Sequence, residues 1–344
     1  MPIGESNQHL RHAKGNPMKK RLTEALGLCL VVAAVAGACS QAAPESMSTP
    51  TVMPTATDPG PTATPEPAKV ALVDDLGTEV EVTQPVERII SLAPSNTEIA
   101  FALGLGERLV GVSDWSDYPA EALEIQKVGT GTEGNLELIV SLDPDLVLAI
   151  GGEPVPEING QLRDLGFAVL VLAAEDLEGI YNDIELVGQA AGVGVAAEEL
   201  VADMRERIEA VREKAAEAAA EPLVFYELDA TDPTRPWTVG AASWHDDFIE
   251  LAGGVNLAGE QQSAWVQISA EEIVAQNPGI IILGDANWGV TPDSVAERPG
   301  WEAIAAVQEG NIHGIDDNLI SRPGPRVAQG IEELARLIHP ELFD

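Results

Sequence analysis

Carboxylates are the commonest chemistry-bearing side chains in this sequence, and nothing is arranged around them to make an active site. There are 56 Asp and Glu against 19 Lys and Arg, so some acidic pair will lie close in any fold. A hydrolase or transferase would need a nucleophile elbow, a glycine-rich phosphate loop or a metal-ligand motif, and none appears. The stretch "GLGERLVG" precedes an apolar strand-like run instead of following one, so it is no dinucleotide fingerprint. His245, His313 and His339 are scattered, whereas a zinc or manganese site needs convergent His and carboxylate ligands. The expectation is a protein that is not an enzyme, carries no metal or cofactor, and binds its ligand reversibly. Flat apolar side chains suit that task. Of the six tryptophans, Trp115, Trp237 and Trp265 stand in loop-like sequence, and Trp288 in "GDANWGV" follows a strand-like run, where α/β sheets meet ligands. Trp244 and Trp301 are assigned to packing.

One phrase is written twice. "ELIVSLDPDLVL" begins at Glu137 and "EEIVAQNPGIII" at Glu271, 134 residues later. Each copy has a glutamate, two aliphatics, a proline and an apolar run. Each reads as a short helix followed by a buried strand, with the glutamate in the first turn, where the helix dipole favours negative charge. A domain-sized offset with two copies means two similar lobes, since a solenoid needs three or more repeats.

The elements around the two copies agree. "RIISLAP", "RLVGVS", "DLVLAIG" and "AVLVLA" are strands alternating with helices at "SNTEIAFALGLG", "NLELIVSL" and "INGQLRDLG". Near-continuous apolar strands predict a parallel sheet covered on both faces. Ser95 with Glu98, and Ser269 with Glu272, have capping-box spacing. Residues 180–220 lack proline, and "AAEELVADMRERIEAVREKAAEAAA" is dense in helix formers, about 38 Å of helix at 1.5 Å per residue. After Glu221 the alternation resumes with "LVFYEL", "SWHDDFIELAGG", "SAEEIVAQN", "GIIILG", "NIHGID" and "PRVAQGIEELARLIH". The fold class is α/β: two Rossmann-like lobes, 69–179 and 221–344, joined by one long helical segment, 180–220.

Residues 1–39 are read as a lipoprotein signal. A basic start at Met18 leads into an apolar stretch too short to span a membrane, ending in "AGAC". That ending resembles a bacterial lipobox, with Ala36 where leucine is preferred, which makes Cys39 the lipidated residue. The Ser/Thr/Pro-rich stretch 40–68 is a tether, too poor in large aliphatics to bury a core. Loss of residues 1–39 removes five Lys/Arg and two Asp/Glu, leaving 14 against 54. A chain so acidic is not expected to bind nucleic acid or an anionic lipid surface.

"VERIISLAPSNTEIAFALGLGERLVGVSDWSDYP", "NLELIVSLDPDLVLA", "DDFIELAGGVNLA", "ISAEEIVAQNPGIII" and "SRPGPRVAQGIEELARLIHPELF", in that order and spacing, resemble the substrate-binding proteins of bacterial ABC importers for siderophores, haem and vitamin B12. The resemblance covers residues 69–344. It implies an extracytoplasmic receptor, anchored to the membrane through Cys39, that is monomeric, closes through a small hinge, and serves a permease dimer with its ATPase. It further implies that Glu137 and Glu271 dock onto the permease, one glutamate per lobe. The vitamin B12-binding subgroup places aromatic contacts at positions matched here by Trp115 in "GVSDWSDYP", Trp237 in "PWT" and Trp265 in "WVQIS". Gly131 stands where that subgroup has another tryptophan, which implies either a roomier cleft or a different corrinoid as ligand. No tyrosine occupies the place expected of a haem-iron ligand, and Tyr118 is read as structural. Arg322 in "SRPGPR" is expected to meet a polar ligand edge, with Arg326 either beside it there or packed against the last helix. The implied ligand is cobalamin or a related corrinoid. A ferric siderophore or haem is the alternative, and a surface sensor or adhesin is the alternative from another class.

Overall fold

The computed structural model describes residues 68–152 and 154–343; the signal, Cys39 and nearly all of the tether lie outside them. The chain enters through an antiparallel hairpin, β1 (Ala68–Val73) and β2 (Glu79–Gln84). Then come β3 (Ile89–Ser91), α1 (Pro94–Ala102), β4 (Leu109–Val112), α2 (Leu136–Ser141) and β5 (Leu146–Ile150). They are followed by α3 (Glu157–Asp164), β6 (Val169–Leu172) and α4 (Leu177–Ala190). β4, β3, β5 and β6 form an all-parallel sheet in that spatial order.

Its strands are buried on both faces because each carries apolar side chains at successive positions. Leu146 and Leu148 of β5 join one core with Ile99, Ile180, Ile184 and Val187, while Val147 and Ala149 join another with Ile139, Ile158 and Leu162. The period of two along the strand sorts neighbouring residues to opposite faces.

α5 (Gly194–Ala215) follows a turn at Gly192, whose φ of 74° suits glycine. Beyond it lie β7 (Leu223–Asp229), β8 (Trp237–Val239), α6 (Trp244–Leu251), β9 (Val255–Asn256) and β10 (Trp265–Gln267). Next are α7 (Ala270–Gln276), β11 (Ile280–Leu283), α8 (Pro292–Ala296), α9 (Ala305–Glu309), β12 (Ile312–Gly314), α10 (Val327–Ile338) and α11 (Pro340–Phe343). The second sheet runs β10-β8-β7-β11-β12, with β9 also on β7. β7, β11, β12 and β9 are parallel, and β8 and β10 extend the edge antiparallel.

The doubled phrase forms equivalent units. α2 leads into β5 and α7 into β11, each strand sitting inside its sheet. Both helices begin on a side-chain cap: Asn135 accepts from the Leu138 amide at 3.1 Å, and Ser269 from the Glu272 amide at 3.2 Å.

Four expectations change. Residue 180 falls three residues inside α4, whose N-cap is Asp176, accepting from the Gly179 amide at 2.7 Å. The helical stretch after it is two helices broken at Gly192, and α5 stops at Ala215, short of residue 220. Ser95 is not a cap; α1 starts from Ala93 with no side-chain cap, and Pro94 takes the first turn, where a missing N–H costs nothing. At Ser269 only half of the capping box forms, because Glu272 Oε1 instead accepts from Gln276 Nε2 at 3.0 Å.

α5 buries Ala197, Val201, Met204, Ile208, Val211 and Ala215, spaced alternately four and three apart, so they form one stripe. The stripe packs against α4 on one side and α10 and α6 on the other. One continuous core therefore includes residues of both sheets and of α5.

Asp183 of α4 is buried with its Oδ1 unpartnered. Burial first, and then the adjacent Asp75 carboxyl, push its pKa up to about 9. The folded chain therefore holds a proton that the unfolded chain releases near the usual carboxylate pKa. Stability is greatest below that value and falls as pH rises towards about 9. Asp183→Asn keeps a hydrogen-bonding side chain without the ionisation. It should raise the melting temperature at pH 8 by roughly 3 °C or more and leave it unchanged at pH 4, read by thermal denaturation at both pH values.

Candidate ligand site at the strand ends

Three tryptophans stand at or just beyond the carboxyl ends of parallel strands, where open α/β sheets bind ligands, and a fourth, Trp265, opens the antiparallel edge strand beside them. Trp115 lies three residues beyond β4 and Trp288 five beyond β11. Trp237 opens β8 opposite Asp229, the last residue of β7, and Trp265 opens β10. Exposure separates them from the packing residues: 64% for Trp115, 42% for Trp237, 44% for Trp265 and 83% for Trp288, against 1% for Trp301. Trp244 is half-buried and its indole N–H donates to the Ile320 carbonyl at 2.9 Å.

Strand register sets the relation between two of them. Trp265 lies opposite Val239, and Gln267 opposite Trp237. Trp237 and Trp265 are therefore diagonal neighbours on one face of the β8–β10 ribbon.

Trp115 projects from a pinned loop. Asp114 and Gly129 exchange backbone contact, with the Asp114 amide donating to the Gly129 carbonyl at 2.9 Å and Asp114 Oδ1 accepting from the Gly129 amide at 3.0 Å. The Trp115 amide donates to Ser113 Oγ at 3.2 Å. Below it, the buried hydroxyls of Ser116, Thr97 and Ser91 are linked at 2.8 Å each. A fixed backbone lets an exposed ring act as a preorganised surface.

Gly131 does not open the cleft. It is buried, and a Cβ there would lie 2.8 Å from the Leu92 carbonyl oxygen and 2.6 Å from Ile150 Cδ1. The loop lies directly on the strand ends, so the absence of a side chain reflects close packing, contrary to the expected extra room.

A charge cluster joins the first sheet's side of the site to the second's. Glu98 of α1 is buried, and both its oxygens are taken by arginines from the loop before α10. Arg326 Nε meets Oε2 at 2.8 Å and its Nη2 meets Oε1 at 2.6 Å; Arg322 Nη1 meets Oε1 at 3.1 Å. Arg322 Nη1 also meets Asp117 Oδ1 at 2.6 Å. The Arg322 hydrogen bond holds the Asp117 carboxyl below the usual range, against a smaller opposing effect of burial. Burial works against the Arg322 charge, but its bonds to Asp117 and Glu98 outweigh it and the guanidinium pKa rises. Arg326 lies 4.0 Å over the Tyr118 ring. Arg322, expected to offer its charge to a ligand, is thus committed to two carboxylates. Arg326 packs on Tyr118 and Glu98 at the head of α10. Between this cluster and α5 lies a cavity of ≈ 460 Å³ lined by Phe101, Tyr118, Met204 and Arg326 among others.

The cluster also links the Trp115 loop to Trp265. Asp117, two residues after Trp115, holds Arg322; Ser321 beside Arg322 meets His245 Nε2 at 3.1 Å; the His245 ring lies edge-on to Trp265 with centroids 5.4 Å apart. A continuous path of contacts therefore runs from the Trp115 loop to Trp265. Sequence reasoning missed Glu98, Asp117 and Ser321 and set His245 aside. The capping-box spacing at Ser95 and Glu98 pointed to the wrong role, and no local signal pairs residue 98 with residues 322 and 326.

Glu137 and Glu271 are exposed in the first turns of α2 and α7. Among the described residues, no three His, Cys, Asp or Glu side chains converge as metal ligands.

Glu98→Gln leaves two half-buried guanidiniums short of their shared countercharge, a loss of about 3 kcal/mol. Urea denaturation should show that drop, whereas Glu137→Gln, on an exposed face, should stay within about 0.5 kcal/mol of the parent.

The sequence matches the periplasmic binding protein family over residues 89–319. It is 36% identical over 279 residues to YvrC, an uncharacterized ABC transporter substrate-binding lipoprotein of Bacillus subtilis (strain 168), covering 80% of this chain and 87% of that one. The solved structure of the periplasmic vitamin B12 binding protein BtuF of Vibrio cholerae has a TM-score of 0.63 at 30% identity, covering 74% of this chain and 98% of that one. The periplasmic haem-binding protein RhuT from Roseiflexus sp. RS-1 has a TM-score of 0.66 at 29% identity, with the same coverage of both chains. Two α/β sheets that share one core with α5, exposed tryptophans near their strand ends and these matches lead to one assignment: the chain belongs to the periplasmic binding protein family, the substrate-binding proteins of ABC transporters.

Proposed function

We propose that this protein captures cobalamin or a related corrinoid between its two halves and delivers it to an ABC permease, without chemical turnover. The observation that carries this reading is the set of exposed tryptophans carried by both halves: Trp115 beyond β4, and Trp237, Trp265 and Trp288 around β8, β10 and β11. Rigid aromatic faces bury much apolar area at low entropic cost, which suits a large ring-shaped ligand. The cations near them, Arg322 and Arg326, are neutralised by Glu98 and Asp117, so the site offers little free positive charge to an anionic ferric siderophore. The relative named as a vitamin B12 binding protein supports the corrinoid reading, and the one named as haem-binding supplies the alternative.

Cyanocobalamin added to the pure protein should quench tryptophan fluorescence and be recovered unchanged. Trp265→Ala should weaken its binding at least tenfold, the loss of one well-packed aromatic contact. No quenching at tens of micromolar cyanocobalamin, with tight binding of haem or a ferric siderophore, would replace this reading.

Delivery is assigned to Glu137 and Glu271, exposed acidic groups at equivalent places in the two repeated units, a pairing that suits a two-fold permease. Anchoring is assigned to lipidated Cys39, which keeps the receptor at the membrane surface outside the cytoplasm. In cells that depend on this protein for corrinoid, Glu137→Ala with Glu271→Ala should reduce uptake severalfold while the purified variant keeps its affinity. Cys39→Ser should abolish labelling of the protein by palmitate. Weakened corrinoid binding by the glutamate variant would show that these residues belong to the ligand site.

A further inference from the structure

His245 is buried at the start of α6, enclosed by aromatic rings and by the residues of the inter-sheet charge cluster. Its ring stacks on Trp244 (centroids 5.6 Å apart, planes 20° apart) and lies edge-on to Trp265 (5.4 Å, 77°) and Tyr226 (5.4 Å, 71°). A phenylalanine would serve as well if packing were its whole role. The imidazole adds a directed hydrogen bond, Nε2 to Ser321 Oγ at 3.1 Å, while Nδ1 has no partner among the described residues.

The unpartnered nitrogen assigns the proton. A buried N–H without an acceptor is rarer than a buried acceptor without a donor, so Nε2 carries the hydrogen and donates to Ser321. The Ser321 amide donates to the Asp317 backbone carbonyl at 2.7 Å, and the Tyr226 hydroxyl donates to Asp317 Oδ1 at 2.6 Å. Burial pushes the His245 pKa down to about 3, so the imidazole stays neutral at ordinary pH. The same segment carries Arg322, whose guanidinium reaches Asp117 and Glu98 on the other side of the site.

We propose that His245 is a positioning residue for ligand capture: its Nε2–Ser321 hydrogen bond fixes the imidazole against Trp265, and so couples the orientation of that ligand face to the Arg322 segment that closes the site. The consequence for affinity rests on the reading of Trp265 as a ligand contact; the orientation of the ring does not. His245→Phe keeps an aromatic ring and removes the donor, while Ser321→Ala keeps the imidazole and removes its acceptor. In protein labelled with 5-fluorotryptophan, the Trp265 resonance, identified by its absence in Trp265→Phe, should shift or broaden in both variants. Cyanocobalamin affinity should fall about tenfold in each, and the double variant should bind no more weakly than either single one, since both cut the same link. A Trp265 resonance as sharp and unshifted as in the parent overturns the proposal, as do two affinity losses that add. Should the parent protein leave cyanocobalamin unbound, the corrinoid reading fails, while the fluorine resonance still decides the role of His245.

Discussion

Two guanidinium groups closing on one buried carboxylate organise the ligand-facing side of this molecule. An isolated Glu98 at that depth would cost several kcal/mol of lost hydration. Arg326 offsets this with a bidentate contact and Arg322 with a further bond, all charge-assisted. The cost is recovered only if α1 and the loop before α10 are held in register. Other parts of the site inherit their position from this pairing. Asp117 ties down the segment carrying Trp115, Tyr118 lies under Arg326, and Ser321 is set where it meets His245.

On the side of α5 the joining force is different. Val201, Met204, Ile208 and Val211 merge with side chains of both sheets into one apolar core. Such a core is close-packed, so sliding one half over the other would open voids and lose contacts. Dispersion and burial hold that side at every ionic strength, while α1 and the loop before α10 are held by ion pairs that are themselves largely shielded from solvent. The two kinds of attachment favour small rotations about α5 over wide opening.

The elements easiest to read were those whose signal is local. "DLVLAIG" and "GIIILG" became β5 and β11 because several apolar residues in a row leave no solvent face. α5 followed from helix formers on a repeating stripe, although its break from α4 lay at Gly192, inside a run that lacked proline. The antiparallel strands β8 and β10 are three residues each and take their strand character from β7 beside them, so no period was long enough to register. Glu98 shows how a local pattern misleads. Its spacing from Ser95 fits a cap, but Pro94 starts the helix and two arginines more than 220 residues away claim the carboxylate.

The sequence by itself determined the α/β class, the repeated helix–strand unit and the placement of Trp288 just after a strand. Each follows from a period, a composition or a neighbouring residue, which are properties of a short stretch of chain. Tertiary structure alone decided that Arg322 is neutralised by Glu98 and Asp117, that Gly131 is packed against the Leu92 carbonyl, and that His245 lies against Trp265 with a bond to Ser321. Those contacts join residues up to 224 positions apart. Nothing in the chemistry of one partner names the other until both sheets have packed on α5 and brought their strand ends together.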